Sequence, residues 1–327
     1  CPSAAVMNTG TRLTIQSEID WDLLKQSIYQ AYDRCEGMRV RFAKDKDGTY
    51  YQYVVDKEER DIEFVDFSQG TLEEADKVMQ QWTTVPFPME DAPLTRVVMI
   101  SLPDGFNGVY FLGHHMIVDA QSLIGFLKDI IELYCSQKYE GVPAPKEMAS
   151  YIEQIQKDLA YEAGSKAQLR DMEFFQKEIE SSEPIYNGMK GTDKLEAARQ
   201  MFQNPNLRTA FNASGDTTSA LVCLLLMGMR TYFQKVNGHD DVSINNAIAR
   251  RATLKEKKSG GTRIHSFPFR TCFSQDMKFI DAIYAIRDKQ NEYFRHANYD
   301  PTAYFAYRAK TYPQPHAGLT YEPISLT

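Results

Sequence analysis

The sequence has few cysteines, and none of them are arranged as a zinc site or a disulfide framework. Five cysteines are scattered along the 327 residues, and no Cys-x-x-Cys pair occurs. Secreted disulfide-rich domains instead use paired cysteines at close spacing in short chains. We therefore expect reduced thiols and a cytoplasmic protein.

The chain also lacks an excess of positive charge and a long hydrophobic run. Its formal net charge is −7, which disfavours nucleic-acid binding because such proteins present a basic surface. The longest apolar run, Ala220 to Met229, is shorter than the ~20 residues that a membrane-spanning helix needs. With 43% hydrophobic residues the chain can nevertheless bury a large core. We expect neither a nucleic acid nor a membrane as a partner.

The hydrophobic pattern predicts strands and helices in both halves of the chain. Alternation around Leu13 and Ile15 predicts a strand, and Asp20 would cap the helix that follows it. The other predicted elements are a hairpin around the turn DKDG, antiparallel strands at 95–102 and 108–113, a helix at 120–135, a helix at 217–235, a strand at 241–249, a short strand that ends at Arg270 and a helix at 276–295. This mixture predicts α/β or α+β layers, with a boundary between two lobes near residue 160.

The most unusual segment is GHHMIVDAQS, residues 113–122, which contains two of the six histidines. Consecutive strand residues point to opposite faces, so His114 and His115 cannot easily share a metal ion. One of them would support the loop, and the other would face a cleft, where an imidazole can act on a proton near neutral pH. The alternative interpretation is structural: the two histidines close the strand and Asp119 caps the next helix.

This segment resembles the HHxxxDG signature of the condensation domains of nonribosomal peptide synthetases, in the chloramphenicol acetyltransferase-like superfamily. Other segments resemble further motifs of that family in the same order along the chain. They are RCEGMRVRF at 34–42 (RHExLRxxF), YIE at 151–153 (YxD), FF at 174–175 (Tyr-Trp), Arg251 with GTRIHSFPFR at 261–270 (GR…IGxFVNTxPxR) and HANY at 296–299 (HQDY). The resemblance therefore extends over nearly the whole chain.

The resemblance implies a fold and a reaction. The fold would be two chloramphenicol-acetyltransferase-like lobes, residues 1–160 and 161–327, packed as a V-shaped pseudo-dimer with a tunnel at their junction. The family's opening motif and its closing strands and helix have no counterpart, so we expect the C-terminal lobe to be incomplete. The reaction would form an amide bond between an acyl or peptidyl thioester and an aminoacyl amine. Both substrates would be carried on the phosphopantetheine of donor and acceptor carrier proteins, beside an adenylation domain, with no cofactor bound directly.

The resemblance also implies roles for individual residues. His115 would be the catalytic residue, and His114 would be structural. Asp119 would hold the loop through an ion pair with Arg251, for which the adjacent Arg250 is the rival. The roles of Ser122 and His265 stay open. Ser122 either contacts substrate or lies in the first turn of the helix. His265 either lines the cleft or faces solvent.

Three departures from the family pattern keep other functions open. Cys35 replaces a histidine, His265 replaces an asparagine, and Ala120 replaces the motif glycine. Alanine would be strained at a positive φ, but it fits if it is the first helical residue, which we favour. The alternatives are a free-standing acyltransferase that uses a soluble acceptor, an epimerization domain, and a non-catalytic domain that docks carrier proteins.

Overall fold

The computed structural model describes residues 5–57, 60–180, 217–300 and 318–320. Their contacts form two compact units. The first unit contains the described chain up to Lys157 together with Arg251–Arg263, and the second contains Asp158–Arg250 and the described residues from Ile264 on. The segment Arg251–Arg263 therefore packs with the first unit although it follows the second unit's residues in the chain. The division into lobes 1–160 and 161–327 stays a prediction.

A four-stranded sheet forms the centre of the first unit, and a separate hairpin lies beside it. The strands are β1 (Asn8–Gln16), β2 (Val40–Lys44), β3 (Tyr50–Val54), β4 (Glu63–Asp66), β5 (Thr95–Ser101) and β6 (Phe106–His114). The sheet order is β1-β6-β5-β4, in which β4 and β5 are parallel and the other pairs are antiparallel. The hairpin predicted around DKDG pairs β2 with β3, and the predicted antiparallel pair of strands corresponds to β5 and β6.

Four helices contribute apolar side chains to the cores beside this sheet. They are α1 (Trp21–Arg34), α2 (Leu72–Thr83), α3 (Ala120–Lys138) and α4 (Tyr151–Glu162), the last of which crosses the boundary between the units. The predicted cap of α1 is confirmed, because the Asp20 side chain accepts the Leu23 N–H at 3.0 Å. Ile28 of α1 and Phe126 of α3 are fully buried with Phe111 of β6 in one core, which fixes α3 against the strand that precedes it.

The second unit has its own sheet and core. The predicted strand at 241–249 is confirmed as β7 (Asp241–Ala249). It lies between β8 (Ile264–Cys272) and β9 (Gly318–Leu319), in the order β8-β7-β9. Phe175 stacks on Phe267 at 4.7 Å between ring centroids, and both rings lie edge-on to Tyr293. The remaining elements in chain order are α5 (Lys166–Glu180), α6 (Thr217–Asn237), β7 (Asp241–Ala249), α7 (Leu254–Lys258, in the first unit), β8 (Ile264–Cys272), α8 (Phe279–His296) and β9 (Gly318–Leu319).

The topology places the His-His segment at the end of a central strand. β6 lies between β1 and β5, and its last residue, His114, is paired with Asn8 of β1. The loop 115–119 then leads directly into α3. Along the described ranges, every helix is too short or too polar to span a membrane.

Candidate active site

His114 lies under the loop and supports it. The residue is buried at the end of β6, and its ring lies edge-on to Phe87 with 6.5 Å between the ring centroids. Its Nδ1 accepts the backbone N–H of Met116 at 3.2 Å. Because Nδ1 is an acceptor, the ring proton is on Nε2. The ring thus closes the turn that follows the strand.

His115 is half-buried, next to the buried His114, as expected for neighbours that point to opposite sides of a strand end. Its backbone N–H donates to the Met7 carbonyl at 2.8 Å. Its carbonyl accepts the Thr262 hydroxyl at 2.6 Å. Among the described residues, no group of three or more His, Cys, Asp or Glu side chains is placed to hold a metal ion.

Asp119 and Arg251 form a buried ion pair in the first unit. The Asp119 side chain is 0% exposed and the Arg251 side chain 3%. The Arg251 Nη2 lies 2.9 and 3.0 Å from the two carboxylate oxygens, and Nε lies 3.2 Å from Oδ2. Arg250, the rival candidate, instead lies 3.6 Å from Asp158 in the second unit.

Backbone groups complete the coordination of this ion pair. Asp119 also accepts the N–H groups of Ser122 at 2.7 Å and Arg263 at 2.9 Å. Arg251 donates to the carbonyls of Gly260 at 3.1 Å and Gly261 at 2.6 Å. A buried ion pair is tolerated only when its remaining hydrogen-bonding groups are satisfied, and this one holds the loop before α3 against the segment 260–263.

Asp119 is also the N-cap of α3, which explains the alanine in place of the motif glycine. Ala120 is the first residue of the helix, and it is not among the described residues with a positive φ. Ser122 completes a capping box: its hydroxyl accepts the Asp119 N–H and donates to the Asp119 carbonyl, both at 2.9 Å. The Ser122 hydroxyl is therefore occupied in the helix cap, and its contact with substrate stays a prediction.

A glycine pair brings three of the motif-like segments together. Gly260 and Gly261 have φ of +71° and +72°, in the left-handed region that favours glycine. A Cβ at Gly261 would overlap the Tyr151 ring, and a Cβ at Gly37 would overlap the backbone of Gly261. Cys35 packs beside Gly260 and is 1% exposed, so a small side chain fits where the family has histidine. Burial raises the pKa of the Cys35 thiol to about 11.

Two charged residues of the RCEGMRVRF segment, Arg34 and Glu36, join helices of the first unit. Glu36 accepts the Ile152 N–H at 3.0 Å and the Ser150 hydroxyl at 2.8 Å, and thus caps the start of α4. Arg34 forms an ion pair with the buried Asp129 of α3 at 2.9 Å. The segment therefore ties α1 to α3 and α4 inside the first unit.

His265 lies in β8 of the second unit and is half-buried. Its Nδ1 is 3.1 Å from the Ala297 carbonyl and 3.0 Å from the Tyr299 carbonyl, so Nδ1 carries the proton and Nε2 is an acceptor. Burial, followed by the nearby Arg250 charge, lowers the pKa of His265. The prediction that His265 lines a cleft stays a prediction.

Two further motif-like segments meet in the second unit. His296 stacks on Phe174 with 4.2 Å between ring centroids, and its Nδ1 lies 2.8 Å from the buried Asp171. The same carboxylate accepts the Tyr161 hydroxyl at 2.9 Å, and burial and this hydrogen bond raise the pKa of Tyr161. Sequence reasoning did not identify Asp171 or Tyr161, because neither lies in a motif-like segment and His296 is 125 positions from Asp171.

Comparison with known proteins agrees with the motif resemblance. The family model of the condensation domain matches residues 2–303. The chain is 23% identical over 316 residues to surfactin synthase subunit 1 of Bacillus subtilis (strain 168), which covers 94% of this chain and 8% of that protein. It is 23% identical to bacitracin synthase 3 of Bacillus licheniformis, over 91% of this chain and 5% of that protein. The chain thus spans less than a tenth of the length of these relatives.

Solved structures are similar over most of their length. The first condensation domain of the calcium-dependent antibiotic synthetase, in complex with a substrate analogue, has a TM-score of 0.81 at 18% identity and covers 99% of this chain and 78% of that one. A variant of the starter condensation domain of rhizomide synthetase, in complex with C8-CoA, has a TM-score of 0.83 at 16% identity, with 97% and 72% coverage. These likenesses confirm the predicted mixed fold of the condensation-domain type. The match of the condensation domain family model to residues 2–303 shows that this chain belongs to the condensation domain family.

Proposed function

We propose that the chain catalyses amide-bond formation between an acyl or peptidyl thioester and an aminoacyl amine. The observation that carries this proposal is the geometry of His115. His115 is half-buried and follows a strand end, and both its backbone N–H and its carbonyl are hydrogen-bonded. The loop that contains it ends at the buried Asp119–Arg251 ion pair. Such an arrangement keeps one imidazole in place while leaving it accessible, as a proton acceptor requires.

The chemistry needs orientation and a proton acceptor more than a strong base. The amine nitrogen attacks the thioester carbonyl carbon, the C–N bond forms, and the C–S bond breaks to release the donor's thiol. An α-amine has a pKa of about 7.7–8.0, so roughly a tenth of it is unprotonated at neutral pH. His115 would orient this amine and accept the proton released as the C–N bond forms, before that proton reaches the departing thiolate. General-base assistance of this kind contributes about 10²–10⁴-fold.

The substrates would arrive on carrier proteins. The relatives are synthetase subunits more than ten times longer than this chain's matched part, which supports an arrangement with donor and acceptor carriers and an adjacent adenylation domain. Phosphopantetheine would hold both substrates by thioester bonds, and no cofactor would bind the chain directly. The cytoplasm as the compartment stays a prediction from the cysteine pattern.

The test uses a donor carrier loaded with an acyl thioester and an acceptor carrier loaded with an aminoacyl thioester. Intact-mass spectrometry of the acceptor carrier should show the added acyl group with the wild-type chain and not with His115→Ala. Transfer to a soluble amine or alcohol alone would indicate a free-standing acyltransferase. Inversion of the aminoacyl centre would indicate an epimerization domain. Binding of both carriers without any product would leave only the docking function, and each of these outcomes would overturn the proposal.

A further inference from the structure

The peptide unit between His115 and Met116 is held at both of its polar groups. Its carbonyl oxygen accepts the Thr262 hydroxyl at 2.6 Å, and its N–H donates to the His114 Nδ1 at 3.2 Å. A peptide unit is planar, and in the trans form these two groups point in opposite directions. Thr262 and His114 therefore form hydrogen bonds to opposite edges of the same peptide plane.

The remaining freedom of the His115 backbone is removed by a third contact. The His115 N–H donates to the Met7 carbonyl at 2.8 Å on the neighbouring strand side. With both flanking peptide units fixed, φ and ψ at His115 are fixed as well. The direction in which the imidazole leaves the backbone then depends only on its side-chain torsions.

Thr262 is itself positioned by the ion pair. The carbonyl that precedes it, that of Gly261, accepts a hydrogen bond from Arg251 at 2.6 Å. The N–H that follows it, that of Arg263, donates to Asp119 at 2.9 Å. The left-handed backbone of Gly261, with φ of +72°, turns the chain so that both bonds form at once. The ion pair therefore determines where the Thr262 hydroxyl lies.

We propose that Thr262 is a positioning residue, through which the Asp119–Arg251 ion pair sets the orientation of His115. The inference rests on the proposed function, in which His115 orients the amine and accepts its proton. In this proposal the ion pair contributes to the orientation of His115 as well as to the stability of the fold. Loss of the Thr262 hydroxyl would leave the ion pair and the fold intact but release the peptide plane next to His115.

Substitution of Thr262 by valine tests this directly, because valine keeps the branched shape and removes the hydroxyl. One hydrogen bond of ordinary strength corresponds to about a tenfold change in rate. We expect Thr262→Val to lower kcat about tenfold, with KM for both carriers unchanged. Thr262→Ser, which retains the hydroxyl, should restore most of the rate. Thr49→Val is the matched control, since Thr49 is exposed in the same unit, and should leave kcat unchanged.

A spectroscopic readout separates failure of this inference from failure of the proposed function. The ring signals of His115 are assigned in labelled protein by their absence from His115→Ala. Thr262→Val should broaden or shift them, whereas Thr262→Ser and Thr49→Val should not, whether or not amide product forms. Unchanged signals and an unchanged kcat in Thr262→Val would overturn the inference. A serine variant as impaired as the valine variant, at equal folded fraction by circular dichroism, would overturn it as well.

Discussion

Arg251 donates to both carboxylate oxygens of Asp119, a residue 132 positions earlier in the chain. Both side chains are almost completely shielded from solvent. The carboxylate also caps α3, and the guanidinium also binds the glycine pair at 260–261. The pair therefore joins the loop that contains His115 to a segment from much later in the chain.

Removal of one member of this pair should destabilise the fold strongly. Asp119→Asn or Arg251→Leu leaves the other group buried without its partner charge, which costs about 3–5 kcal/mol of unfolding free energy. The double variant should recover part of this loss, because no charge is left unpaired. Guanidinium chloride unfolding measures the change.

The exposed ion pair between Arg12 and Asp76 provides the control for this series. Surface pairs contribute about 0–1 kcal/mol, so Asp76→Asn should cost far less than Asp119→Asn. Equal costs for the two substitutions would contradict a structural role for the buried pair.

An alanine at Gly261 should also destabilise the first unit. The left-handed backbone alone costs a non-glycine residue about 1–2 kcal/mol, and the new Cβ would overlap the Tyr151 ring. The matched control is Gly125→Ala in α3, where a Cβ meets nothing within 4 Å. Because glycine is unfavourable inside a helix, that change should stabilise by about 0.5–1 kcal/mol. Thermal melts of the two variants test both expectations. An unchanged melting temperature for Gly261→Ala would show that the left-handed turn is not needed for stability.

Cys35 should resist alkylation in the folded protein. Burial raises the pKa of its thiol to about 11, so only about 0.1% is thiolate at about pH 8, and the thiolate is the reactive form. The exposed Cys272 should react readily with iodoacetamide under the same conditions. Mass spectrometry of peptides gives the two rates, and both cysteines should react after denaturation. Equal labelling of the two in the native state would be inconsistent with the buried position of Cys35.

His265 should make the protein less stable as the pH falls. Burial and the Arg250 charge lower its pKa in the folded state, whereas an unfolded histidine titrates near a pKa of about 6.5. Below about pH 6.5 the unfolded state therefore binds more protons, and the stability that is fully present above this pH is progressively lost. His265→Asn removes the titrating group, so its melting temperature should change less between about pH 7.5 and about pH 5.5. Parallel pH profiles for the two proteins would rule out this contribution.

Local patterns in the sequence predicted much of the fold because they depend on neighbouring residues. The cap at Asp20, the DKDG hairpin and the strand 241–249 follow from turn chemistry and from apolar alternation. The GHHMIVDAQS segment could likewise be placed at a strand end before a helix. The pairing of Asp119 with Arg251 was predicted by resemblance to the family, since no local pattern links the two residues.

Contacts between distant segments could not be predicted. The hydrogen bond from the Thr262 hydroxyl to the His115 carbonyl joins residues 147 positions apart. Every residue has a backbone carbonyl, so no sequence pattern indicates which one a side chain will bind. The turn at Gly260–Gly261 packs on Gly37 and Tyr151, and this packing depends on the folded core. For the same reason, the sequence did not indicate that Arg251–Arg263 packs with the first unit.

The decisive measurement of the role of His115 is the rate of amide formation by His115→Gln. Both carriers are loaded, and the rate is compared with those of wild type and Thr49→Val. If His115 orients the amine and accepts its proton, His115→Gln should melt at the wild-type temperature and form the acyl-aminoacyl product about 10²–10⁴ times more slowly, while Thr49→Val should match wild type in both respects. Product formation by His115→Gln at the wild-type rate would exclude His115 as the proton acceptor.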